Sequence, residues 1–252
     1  MKQNELDSYF REFLKIDEFA SIDPSQNGLQ IANTGKEIKK IAFAVDACLE
    51  TVKQAASLNA DMLFVHHGIF WGQSPKIVGV HYDRVREFFN ADMALYAVHL
   101  PLDAHPVYGN NAGLAARLNL QDIVPFGDWR GVKIGCSGVS CGMDIETLVK
   151  RLFPDGEKPI SVLPFGKKEI RTVGIISGGA SDDLSQAIDA GLDLYITGEL
   201  KHQAYHEALE NKINVIAGGH YQTETVGVKL VAEKLRSETY LETVFIDLPT
   251  GL

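Results

Sequence analysis

Two stretches of this chain are written on one plan, and that plan limits the possible folds more than any other feature of the sequence. From Ile38, "IKKIAFAVDA", "CLETVKQAASLNA" and "DMLFVHHG" give an apolar run, a helical pattern and a second apolar run. From Ile170 the chain repeats this with "IRTVGIISGG", "ASDDLSQAIDAGL" and "DLYITGE". Short apolar runs without alternation suit strands covered on both faces, and a strand–helix–strand unit closes as a right-handed crossover between parallel strands. A shift of 132 residues superimposes the two units without a gap, pairing Ile41 with Val173, Phe43 with Ile175, Ala55 with Ala187, Asp61 with Asp193 and Phe64 with Ile196. Only four of the thirty positions from Ile38 to His67 are identical. The match therefore reads either as a duplication or as two units of ordinary loop and helix length. The first reading predicts two related α/β halves meeting at one site.

The remaining segments fit around these units. Leu6, Tyr9, Phe10, Phe13 and Leu14 fall at helical spacing and form one apolar stripe. "DPSQNGLQI" reads as a turn leading into a short strand, with Asn27 as a left-handed turn residue or, alternatively, a group lining the site's cavity. "YDRVREFFNADMALYAVHL" predicts a helix and then a strand ending near His99, and "NNAGLAARLNL" predicts a helix. "VPFGDWRGVKIGCSGVSCGMD" shows only short β-like runs, and "IETLVKRLF" is helical. The tail offers a strand at "INVIAGG", a helix from about Gln222 to Ser237, and a last strand at "ETVFIDL". Asp46 reads as a helix cap or as a polar group near a site.

Composition excludes several classes of function. The 252 residues carry 24 Lys plus Arg against 33 Asp plus Glu, a net charge of -9, with no long basic run. Binding by neutralisation of phosphates, and with it nucleic acid as a partner, is therefore not expected. Apolar stretches fall far short of the ~18 residues that a membrane span needs. Residues 1–12 show no signal-peptide pattern, so a soluble cytoplasmic protein is expected. Cys48, Cys136 and Cys141 are too few for a disulfide framework and read as buried thiols.

The chemistry concentrates where strands hand over to loops. "FVHHGIFWG" ends an apolar strand with His66 and His67. Neighbours in an extended chain point to opposite sides, so the pair suits two ions, or two sides of one cleft, better than one ion. "AVHLPLDAH" presents His99, Asp103 and His105, and "VIAGGHYQTETVG" presents His220 and Glu224 four apart, on one face if a helix has begun by there. Imidazole with carboxylate suits divalent Zn, Mn, Fe or Ni, and the absence of a nearby Cys argues against a thiolate zinc site. Paired ions share a bridging carboxylate, and Glu224 or Asp103 could serve. Under the 132-residue shift Glu199 and His202 of "TGELKH" fall beside His67 and Phe70, as proton-transfer candidates or as an ordinary helix start.

The set "NGLQ", "HHG", "HLPLDAHPVYGNN", "TGELKH" and "GGHYQTE", in this order over nearly the whole chain, resembles the Nif-three-like family, whose members often carry the name GTP cyclohydrolase I type-two homologue. The resemblance implies an α/β fold of two related, interlocked halves with mixed sheets flanked by helices. Residues 1–122 with 215–252 would form the half carrying most ligands, and 123–214 the other. It implies two divalent metal ions per subunit (Zn, Fe, Mn, Ni or Mg) held by His66, His67, Asp103, His220 and Glu224, with Glu224 bridging and His99 supporting the ligands or lining the cavity. It also implies a homohexameric toroid, and at this length the minimal form of the family without an inserted domain. Two functions follow. One is a metal-dependent hydrolase acting on a nucleotide-like or other small substrate, of GTP cyclohydrolase type, with Glu199 or His202 moving the proton. The other is a non-catalytic ring that stores, delivers or senses metal, or acts as a scaffold.

Overall fold

The computed structural model describes residues 1–73 and 75–252. Contacts divide the chain into two compact units: Met1–Leu102 with Val228–Leu248, and Asp103–Gly227 with Pro249–Leu252. Among the described residues no helix is long and apolar enough to cross a membrane.

The first unit holds a five-stranded mixed sheet. Strands Lys40–Asp46, Met62–His67 and Ala94–Ala97 lie parallel in that order. Glu242–Phe245 joins the first of them in parallel, and Gly28–Ile31 pairs antiparallel with the last. The long apolar runs are explained by burial of both sheet faces. Phe43, Phe64 and Tyr96 point to one side, where Phe10 of helix Gln3–Leu14 sits 5.0 Å from the Phe64 ring and 4.9 Å from the Tyr96 ring. Their strand neighbours Ala42, Ala44, Leu63, Val65, Leu95 and Ala97 point to the other, against Val52 and Ala55 of helix Leu49–Ser57 and Val85 and Phe88 of helix Gly79–Ala91.

The second unit holds a six-stranded mixed sheet. Ile170–Ile176, Leu194–Thr197 and Asn214–Ala217 are parallel, Ser161–Pro164 closes one edge antiparallel, and Val132–Met143 adjoins the other side antiparallel. Val132–Met143 pairs with Gln121–Trp129 in one long hairpin turning at Arg130 and Gly131, both with φ above +50°. The sequence showed only short β-like runs here because the outer strand is mostly exposed and the inner one is rich in Gly and Ser.

The two units share their central register. Ile41 pairs with Met62 and Val173 with Leu194, positions related by the 132-residue shift. The element common to both repeats is a carboxylate clamp. Asp61 Oδ2 accepts the amides of Lys39 and Lys40 at 2.8 and 3.1 Å, and Asp193 Oδ2 accepts those of Arg171 and Thr172 at 3.0 and 3.1 Å. Lys36 and Lys167 pair with the other oxygen of their clamps at 3.1 and 2.7 Å. In each unit the Asp ties the first strand to the second at the end remote from the candidate ligands.

Candidate metal centre

In sheets of parallel strands, ligand-bearing groups collect beyond the carboxyl ends of the strands, and both units follow this rule. In the first unit, His66 and His67 end the middle strand of the sheet, Asp46 ends its neighbour on one side, and His99 follows its neighbour on the other. The two histidines bond to different neighbouring strands. His66 Nδ1 lies 2.9 Å from the Val98 carbonyl, toward one neighbouring strand, and His67 Nδ1 lies 2.8 Å from Asp46 Oδ1, toward the other. Their ring centroids are 4.6 Å apart, and one ring nitrogen each of His66, His67 and His99 lie within 4.8 Å of one another.

The partners of Nδ1 decide the chemistry. A carbonyl or carboxylate oxygen only accepts, so a ring nitrogen bonded to it carries the proton and the neutral ring keeps its lone pair on Nε2. This holds for His66, for His67 and for His99, whose Nδ1 donates to Asp23 Oδ1 at 2.9 Å. Carboxylate or carbonyl behind histidine is the arrangement that orients imidazoles toward a metal ion. Asp23 is itself held tightly. It accepts from Ser25 N (2.9 Å) and His99 Nδ1 on one oxygen, and from Asn27 Nδ2 (2.7 Å) and Leu100 N (3.0 Å) on the other. Burial raises its carboxyl, but these donors, led by His99, bring it below the ordinary carboxylate range. Asn27 therefore departs from the left-handed turn role expected of it. Gly28 takes the positive φ of 108°, while Asn27 joins Asp23 to the backbone of His99. Nor is Asp46 a cap, since Cys48 precedes helix Leu49–Ser57.

In the second unit, helix His220–Glu238 starts at its candidate ligand, two residues earlier than the sequence suggested, which puts His220 and Glu224 on one face with Nε2 and Oε2 3.2 Å apart. Glu199, just beyond strand Leu194–Thr197, takes His220 Nδ1. Burial disfavours the imidazolium, but Glu224 and Glu199 on its two nitrogens outweigh this and raise His220 to about 9. Gly178 has φ +67°, and a Cβ there would come within 2.1 Å of Glu224 Oε1, so only glycine lets this carboxylate reach its place. Asp103 is buried, and its Oδ1 accepts from Asn110 Nδ2 at 2.8 Å and Ser177 Oγ at 2.9 Å, which fixes the carboxylate plane. Glu199 is not in a helix, against the helix-start reading, and His202 is exposed beside His206.

His105 behaves differently. The amides of Val107 and Tyr108 both donate to its Nδ1, at 3.2 and 3.0 Å, so its proton is on Nε2. That is the opposite tautomer to His66, His67 and His99 and removes His105 from the ligand candidates. Of the cysteines only Cys136 is buried, Cys141 being exposed, so the buried-thiol expectation holds for one of the three. Burial pushes the Cys136 thiol up to about 12, far from thiolate chemistry.

The donor set of neutral Nε2 lone pairs and buried carboxylates, with no thiolate among these groups, fits a divalent cation of borderline hardness. A cation also competes with the proton held by His220, since ligands must be deprotonated to bind. Residues 1–250 match the family model of Duf34/NIF3 (NGG1p interacting factor 3). The chain belongs to this family. A Duf34/NIF3 relative of Treponema pallidum (strain Nichols), named GTP cyclohydrolase 1 type 2 homolog, is 49% identical over the full length of both chains. Among solved structures, TTHA1606 from Thermus thermophilus superimposes with a TM-score of 0.91 at 40% identity, covering 100% of each chain. Reduced HcgD from Methanocaldococcus jannaschii gives 0.86 at 28% identity, covering 98% of each.

The signals that sequence reading missed are Asp23, Gly178, Ser177 and Asn110. Each acts by orienting a candidate ligand, and none lies in a pattern that distinguishes it from a turn, loop or capping residue.

Proposed function

We propose that this protein is a dinuclear metal-dependent hydrolase acting on a nucleotide-like or other small substrate, with His66, His67, Asp103, His220 and Glu224 as the ligands and Glu224 shared by both ions. The observation that carries the reading is the tautomer pattern: His66 and His67 hold the proton on Nδ1 against an oxygen acceptor, which leaves Nε2 to ligate, and His99 beside them is held by Asp23 in the same way. Divalent ions held by such a set supply Lewis acidity toward a carbonyl or phosphoryl oxygen and acidify water near neutral pH. The residues do the rest. Asp46 and the Val98 carbonyl fix the rings of His67 and His66, and the bonds from Asn110 and Ser177 fix Asp103. Glu199, in contact with His220, is the first choice to take or deliver a proton, with His202, which lies beside His206, as the other.

The name carried by the relatives makes GTP the first substrate to assay. The test is turnover of GTP, then of nucleotides, phosphoesters and peptides, by protein reloaded with each metal in turn. Metal-dependent hydrolysis that vanishes in Glu224→Gln supports the reading. Full metal occupancy with no hydrolysis of any substrate favours the storage or scaffold alternative. The homohexameric assembly belongs to the same proposal. Tyr82 and Phe89, seven residues apart on helix Gly79–Ala91 and 49% and 66% exposed, are apolar groups that a second copy would cover, and light scattering reads the mass directly.

A further inference from the structure

We propose that a cavity of the second unit, beside Asp103, takes the organic body of the substrate, and that this body is an apolar, ring-sized group bearing an anion. The cavity has a volume of about 320 Å³, within the ~300–1,000 Å³ typical of small-molecule sites. Pro106, Ile123 and Pro125 give it apolar walls, and proline rings present flat C–H faces that suit an aromatic or heteroaromatic ring. Of its polar lining, the Asn111 side chain bonds the backbone of Asp103, Ile134 and Ser177, and Asp103, His105 and Lys133 supply the remaining polar side chains.

These three divide the work by charge. Asp103 is a buried carboxylate oriented by Asn110 and Ser177; it repels an anion in the metal-free chain, and its charge is spent on the cations when they are bound. Lys133 is the complementary cation. Its pairing with Asp128 is long, at 3.6 Å, between side chains 48% and 45% exposed. Such pairs are worth little and exchange readily for a better acceptor. His105, with both backbone amides on Nδ1, meets a ligand as an Nε2–H donor, not as a metal ligand. The anionic group of the ligand therefore belongs at Lys133, and its opposite end toward Asp103. That this end is the reacting one rests on the metal reading above; the cavity and its preference for anions do not.

The experiment is calorimetric titration of the full chain with 2-naphthoate and, as the uncharged control on the same ring, 2-naphthol, with metal content measured on every sample. Wild type should bind naphthoate at least tenfold more tightly than naphthol. Lys133→Gln, an exposed change that leaves the core untouched, should remove that preference by weakening naphthoate tenfold or more while naphthol is unchanged. Ala112→Phe, which fills the cavity from helix Asn110–Arg117, should abolish both. Naphthoate that does not bind, or that binds equally well to Lys133→Gln, overturns the inference even when the metal is present. Protein without metal that still binds naphthoate in this pattern supports the cavity and counts against the metal reading alone.

Discussion

Replacing Asp23 by Asn tests the tautomer argument at its most buried point. The Asp23 side chain is fully buried and accepts four donors, two on each oxygen. An amide of the same shape accepts on one side only. With its oxygen kept toward Asn27 Nδ2 and Leu100 N, the new NH₂ faces Ser25 N and His99 Nδ1. His99 can adapt by moving its proton to Nε2 and accepting on Nδ1, whereas the Ser25 amide cannot adapt. One stranded buried N–H costs about 1–3 kcal/mol, and two charge-assisted bonds reduced to neutral ones cost about 1 kcal/mol each. The expected destabilisation is about 3–5 kcal/mol, or roughly 6–20 °C in melting temperature for a chain of this length. Urea denaturation gives the free energy, and imidazole ¹⁵N shifts give the tautomer. A loss below about 1 kcal/mol, or a His99 that keeps its proton on Nδ1 in the variant, would refute the reasoning.

The clamps predict a matched pair of effects: Asp61→Ala and Asp193→Ala each strand two strand-end amides and should each lose about 2–4 kcal/mol in denaturant unfolding, Asp193 more because it is the better buried. Burial raises both carboxyls, but the backbone amides and the lysines bring them below the usual value. A depressed folded pKa gives stability that is present above the unfolded pKa of ~3.9 and is lost as pH falls through the folded one. Wild-type stability should therefore drop below about pH 4, and the double variant should show a flatter acid limb. Asp46→Ala frees the His67 ring and should weaken metal affinity 10–100-fold by competition titration, with little change in fold. Gly178→Ala puts a methyl where Glu224 Oε1 sits, at a φ that strains any L residue, and should cost at least tenfold in metal affinity by the same titration.

Much of the fold is legible in the sequence because it is written in apolar runs. The strands around Phe43, Phe64, Ile175 and Ile196 are buried on both faces and show no alternation, and the helices between them carry Val52, Ala55, Leu184 and Ala187 inward. The candidate ligands are legible because strands ending in His, or in Gly-Gly-His, place a polar group where a buried strand must stop. What escaped is what depends on distant partners. His99 finds Asp23 across 76 residues, and Ser177 finds Asp103 across 74, and nothing local marks either carboxylate as an acceptor. Gly178 sits in "SGGAS", which has no phosphate-loop spacing, and its need for glycine appears only when Glu224 is placed against it. The long hairpin was obscured for a different reason: Pro125 and Gly127 interrupt its outer strand, whose Ile123 and Val124 are exposed.

The most direct test of the metal centre is elemental analysis of the full chain, purified without chelators, beside Glu224→Gln and His66→Ala. The account predicts two divalent ions per chain in the native protein and the loss of at least one in each variant. Native protein devoid of divalent metal, or variants that bind as much as the native chain, would contradict it.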